Sequence, residues 1–142
     1  MAEAFPNAWL EDPDLATPAA REALAPHAAR ITWDAPIHDV QDILDAAVLP
    51  RTVNLKPSRF GSVRALFAAY DFCAERGMGA YGGGQYELGP GRGQIQLLAA
   101  LFHPDGPNDI APGGYDALDP EPGLPESPLE PTPAPTGFRR LD

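Results

Sequence analysis

Short apolar runs alternate with amphipathic stretches along the first hundred residues. The runs are Ala8–Leu10, Ile31–Trp33, Thr52–Leu55 and Met78–Tyr81, each of a length that suits a buried strand. Between them the spacing predicts helices. Thr17-Pro18 is an N-cap with proline at the first helical position, opening AAREALAPHAA, where Pro26 should end or kink the helix. From Asp39 to Ala47, apolar residues recur at Val40, Ile43, Leu44 and Ala47. Ser62–Arg76 is the clearest helix: Val63, Leu66, Phe67, Tyr70 and Cys73 or Ala74 share a face, and Gly77 is the stop. Gln94–Phe102 is a fourth. Strands alternating with helices predict an α/β chain built on a parallel sheet.

The pattern changes near residue 104. From Pro104 to Asp142 there are ten prolines in 39 residues and eight acids against two arginines. Proline fixes φ and removes donors, so Glu121–Thr136 cannot form a helix or a central strand. A solvated, irregular tail over 113–142 is expected, or an extended arm anchored by Leu124, Leu129 and Phe138. Residues 1–112 form the folded domain.

Charge and composition narrow the function. Ten basic against twenty acidic residues give a net charge of −10, which argues against nucleic acid and against an anionic membrane surface as partners. No apolar run approaches a transmembrane length. Met1–Leu10 lacks a basic region followed by an apolar stretch, and Cys73 is the single cysteine; the expected location is the cytoplasm. Nine of the ten basic residues are arginine, so Lys56 stands alone.

Glu11, Asp34 and Lys56 each follow an apolar run (AWL-E, ITW-D, VNL-K) at separations of 23 and 22 residues. Parallel α/β folds carry their chemistry on the loops leaving the strands. On neighbouring strands, about 4.8 Å apart, these side chains would converge. Two adjacent carboxylates repel unless a cation sits between them, and Mg²⁺ with oxygen ligands resolves that conflict. A desolvated lysine sheds its proton more readily and suits a general base. Taken singly, each carboxylate also fits a turn former or a helix cap.

Three strings extend this picture. LEDPDL (10–15) resembles the metal-binding IEDP segment of the enolase superfamily, and LKPSRFGSV (55–63) is similar to the segment around its catalytic lysine. ERGMGAYGGGQYELG (75–89) resembles methylaspartate ammonia-lyases of that superfamily. The resemblance, over about residues 5–112, implies a partial (β/α) TIM-type barrel, about strands four to eight. It implies Glu11 and Asp34 as Mg²⁺ ligands, Lys56 as catalytic base, and Asn54, Gln85 and Tyr86 as substrate-binding residues. The activity implied is abstraction of the α-proton of a small carboxylic acid, in a lyase or isomerase. A third metal ligand would lie upstream of Glu11, so the ligand set here is incomplete. Self-association or a partner supplying the missing barrel half is expected. The rival expectation is a non-catalytic, truncated or degenerate product without a complete metal site.

Other residues carry weaker signals. His27, His38 and His103 fit solvated positions at helix ends. Trp33 and Cys73 fit the core. Gly82, Gly83 and Gly84 fit either backbone lining an acid-binding pocket or a phosphate cradle. Arg92 fits a partner for a substrate carboxylate. Asn108-Asp109 fits the end of a last short strand.

Overall fold

The computed structural model describes residues 2–85, 87, 90–110, 118–119, 122 and 128–130. Its helices begin where the sequence offers caps. In α1 (Pro18–Leu24) the Thr17 side chain accepts from the Ala20 N–H. The chain then tightens into a 3₁₀ turn over Ala25–Arg30, since Pro26 has no N–H to continue the α pattern. In α2 (Val40–Asp45) Asp39 and Asp42 form a reciprocal capping box. Ser62 caps α3 (Val63–Glu75) at 3.1 Å from the Ala65 nitrogen. Gly77, at φ +64°, closes that helix, with Met78 N–H donating to Cys73 C=O and Gly77 N–H to Ala74 C=O. That is a Schellman ending, and it requires a residue at ease in the left-handed region. The fourth helix, α4 (Pro90–Phe102), starts earlier than the apolar spacing alone predicts, with Pro90 as its first residue.

The strands are β1 (Leu10–Glu11), β2 (Ile31–Thr32), β3 (Thr52–Leu55) and β4 (Gly79–Gly82). They form two parallel two-stranded sheets, β1–β2 and β3–β4. In the first, Leu10 pairs with Ile31 and Glu11 with Thr32; in the second, Asn54 pairs with Tyr81. The Asn54 N–H donates to Trp33 C=O at 3.1 Å and links the sheets. Beyond β4, Gly83 pairs in parallel with Asp109, where the sequence places a last short strand. Mixed α/β structure is therefore observed. Among the described residues no closed barrel is seen.

Alternation along the strands sends Ile31, Trp33, Val53 and Leu55 into the core. They meet Ile43 of α2, Leu66, Ala69, Tyr70, Phe72 and Cys73 of α3, and Leu98 of α4. The buried face of α3 is rotated from the expected one: Val63 and Phe67 are exposed, and Phe72 is inside. Cys73 is a buried hydrophobe whose thiol burial pushes up to about 11. A smaller cluster joins Ile95, Ala99 and Ile110. Leu129 packs against it and donates its N–H to Pro104 C=O. Leu124 and Phe138 lie outside the described residues. No described helix is long and apolar enough to cross a membrane.

Leu55 is wholly buried, whereas Leu49 is 60% exposed. Leu55→Ala should therefore cost about 2–5 kcal/mol in urea unfolding, and Leu49→Ala about 0.5 kcal/mol or less.

Candidate functional site

The strand face turned away from the helices is polar. Glu11, Thr32, Asp34, Asn54, Lys56 and Tyr81 meet there because each alternates with a core residue: Leu10, Ile31, Trp33, Val53, Leu55 and Ala80. Several are deeply buried: Thr32 is 1% exposed, Asn54 2%, Tyr81 5% and Asp34 8%.

Asp34 is the hub. Its Oδ2 lies 2.9 Å from Lys56 Nζ and its Oδ1 lies 2.6 Å from Arg59 Nη1. Arg59 also donates to the Asp34 carbonyl. Both cationic side chains are themselves nearly out of water. Lys56 arrives directly from the end of β3, and Arg59 from the 3₁₀ turn Pro57–Arg59 that follows. The Asp34 backbone is set from β1: the Asp12 carboxylate, in a residue at φ +46°, accepts from the N–H groups of Asp34 and Ala35 at 2.8 Å each.

A second set of contacts holds Glu11. Its Oε1 accepts from the Tyr81 hydroxyl and from Asn54 Nδ2 at 3.3 Å. Thr32 Oγ1 donates to the Tyr81 oxygen at 3.2 Å. Burial, reinforced by the hydrogen bond to Glu11, pushes the Tyr81 phenol well above its ordinary range, so it stays a donor. The Asn54 amide oxygen is buried and has no hydrogen-bond partner among the described residues. Gly83 lies against this group. A Cβ there would stand 2.3 Å from Lys56 Cε and 3.2 Å from the Asn54 amide, so the close approach of the backbone depends on glycine.

The structure therefore brings Glu11, Asp34 and Lys56 together as the spacing predicts, and sets Asn54, which only the resemblance had singled out, among them. Gln85 is also nearby, but its amide serves the protein. With the amide turned so that both of its atoms meet complementary partners, its oxygen accepts from Arg59 Nε and Nη2 at 3.0 and 3.1 Å, and its nitrogen donates to Ser58 Oγ. Tyr86 lies outside the described residues. Arg92 stands beside Glu87 and Gly84. Arg59 and Asp12 were not legible as site residues, one sitting in a turn and the other in a loop of several acids, whereas Tyr81 follows Lys56 by 25 residues at the end of its apolar run, in step with the other strand ends.

The expected Mg²⁺ fits these donors poorly. Both Asp34 oxygens already face cations, and Glu11 Oε1 is engaged by two donors. Among the described residues no group of three or more His, Cys, Asp or Glu side chains is arranged to hold a metal.

A separate polar cluster ties α4 to β4. His103 is 7% exposed rather than solvated, as its helix-end position had suggested. Its Nε2 lies 3.0 Å from the Tyr70 hydroxyl and its Nδ1 2.6 Å from Asn108 Oδ1, which also accepts from the Gly82 N–H. His38 is at the surface beside Asp42, as expected. A cavity of about 480 Å³ opens at the opposite strand ends from Lys56, lined by Trp9, Thr52, Tyr70, Met78, Phe102 and His103 among others.

The family model described as "Domain of unknown function (DUF8230) C-terminal domain" matches residues 1–117. No curated protein and no solved structure matches the chain. The resemblance to the enolase superfamily and to methylaspartate ammonia-lyases is thereby overturned. Strings such as LEDPDL and LKPSRFGSV are dense in Gly, Pro and charge, which is the ordinary chemistry of the turn after a parallel strand. Short strings of that kind recur without common descent.

Burial holds the His103 imidazole below its ordinary 6.5, against an opposing pull from Asn108. Below pH 6.5 the native chain thus binds fewer protons than the unfolded one, and stability falls as pH drops. Urea midpoints measured from pH 8 to 5 should show this acid-side loss, with a shallower slope in His103→Gln.

Proposed function

The chain belongs to the family of the DUF8230 C-terminal domain, and for this member we propose transfer of the α-proton of a small carboxylic acid, as in a lyase or isomerase. One observation carries the reading: the Lys56 ammonium sits on a buried polar face, against Gly83 with the Asn54 amide, whose oxygen has no hydrogen-bond partner among the described residues. A buried acceptor without a donor is costly unless a ligand satisfies it. An acid bearing an amino or hydroxyl group supplies that donor, while its carboxylate meets the ammonium.

In this reading the Lys56 ammonium first gives one proton to solvent, and the neutral amine then takes the α-proton at Nζ and returns it to the α-carbon. Asp34, at 2.9 Å, orients Nζ. Tyr81 and Glu11 brace the Asn54 amide from behind. Water exclusion comes from the face itself, where Thr32, Asn54 and Tyr81 are almost wholly buried. Parallel strands in sequence order, separated by helices, support reading the domain as an arc of a larger barrel-type sheet. The family's description as a C-terminal domain suits a site completed by another module.

The test has two arms. Calorimetric titration with malate and aspartate measures binding, and proton NMR in deuterated buffer follows exchange of their α-protons. The chain should bind at least one acid and exchange its α-proton. Lys56→Met should slow exchange by about 10²–10⁴-fold. Absence of both binding and exchange contradicts the proposal.

A further inference from the structure

We propose that Arg59, together with Lys56, occupies the place a divalent cation would take at Asp34, so that this site receives its acid without Mg²⁺. The inference rests on reading the polar face as the ligand site. Its basis is the way each oxygen of Asp34 is used. Oδ1 faces the Arg59 guanidinium at 2.6 Å and Oδ2 faces the Lys56 ammonium at 2.9 Å. Arg59 grips the Asp34 carbonyl with the same nitrogen.

Arg59 is locked in turn. In the amide orientation that satisfies both neighbours, Gln85 accepts from its Nε and Nη2, and Ser58 holds Gln85 from the other side. Asp12 fixes the Asp34 backbone through two amides. Neither partner of the Asp34–Arg59 pair is therefore free to swing aside. Mg²⁺ demands near-octahedral oxygen ligation at about 2.1 Å. Here an ion at Asp34 would displace two cations or sit among them, and like charges at such distances repel strongly in a dry site. The Asp34 carboxylate needs opposite charge beside it, and the protein supplies its own. Arg59 is thus a positioning residue, acting on the ligand only through Asp34 and Lys56. Gln85 serves the same lock.

Mn²⁺, a paramagnetic stand-in for Mg²⁺, reports this directly in amide NMR spectra of the full chain. In the wild-type chain the Asp34 and Ala35 amides should keep their intensity at equimolar Mn²⁺, and Arg59→Gln should make them broaden. Arg59→Lys should restore the silent behaviour and controls for folding. Selective broadening of those amides in the wild-type chain overturns the inference. A second arm titrates malate in EDTA and again in millimolar Mg²⁺. Binding of equal strength in both supports the inference, whereas binding that appears only with Mg²⁺ overturns it. Failure to bind malate or aspartate under either condition refutes the proposed function instead, and the Mn²⁺ result still decides the role of Arg59.

Discussion

The structure turns on a carboxylate that is almost out of water. Removing an ion from water costs several kcal/mol even after relaxation, and the cost is recovered only by close opposite charge and satisfied hydrogen bonds. Asp34, 8% exposed, meets both conditions. Lys56 and Arg59 provide the charge, and Arg59 binds the carbonyl as well. This requirement fixes how the strand ends approach one another. The exit of β2 must lie beside the exit of β3, and the turn after β3 must fold back far enough for Arg59 to reach. Gln85, beyond β4, is drawn in to complete the guanidinium's bonding.

The two faces of the strands divide the work. On one, Ile31, Trp33, Val53 and Leu55 join the helices in an apolar core that makes each strand's position insensitive to solvent. On the other, polar groups are packed nearly as tightly, so each must find a partner within the protein or in a ligand. Tyr81 and Thr32 find one, as does Glu11. Asn54 Oδ1 does not. On the reading proposed above, that open acceptor is where a ligand would bind. The Tyr70–His103–Asn108 cluster shows the contrast: both ring nitrogens of His103 are engaged, and Asn108 is consumed by His103, Gly82 and Gly106.

Features that depend on near neighbours were legible in the sequence. Thr17, Asp39 and Ser62 cap helices because a cap needs only the next turn, and Trp33 alternates into the core because strand period is local. The convergence of Glu11, Asp34 and Lys56 was also legible, since regular βα spacing brings strand ends together. What the spacing could not reveal is which charge neutralises which. Arg59 lies 25 residues from Asp34 and Tyr81 lies 70 from Glu11, and no local pattern reports such pairs. His103 failed for the same reason, its partner Tyr70 being on another helix. The motif strings misled because they sampled turn chemistry, which parallel α/β folds share without shared ancestry.

If Asp34 and its cations form the keystone, their energies must be coupled rather than additive. A double-mutant cycle of Asp34→Asn and Arg59→Gln, read by urea unfolding, isolates that term. The account predicts a coupling energy of about 2 kcal/mol or more, as expected for a desolvated, hydrogen-bonded pair. Additive effects, with coupling near zero, would show that Asp34 does not depend on Arg59 and would contradict it.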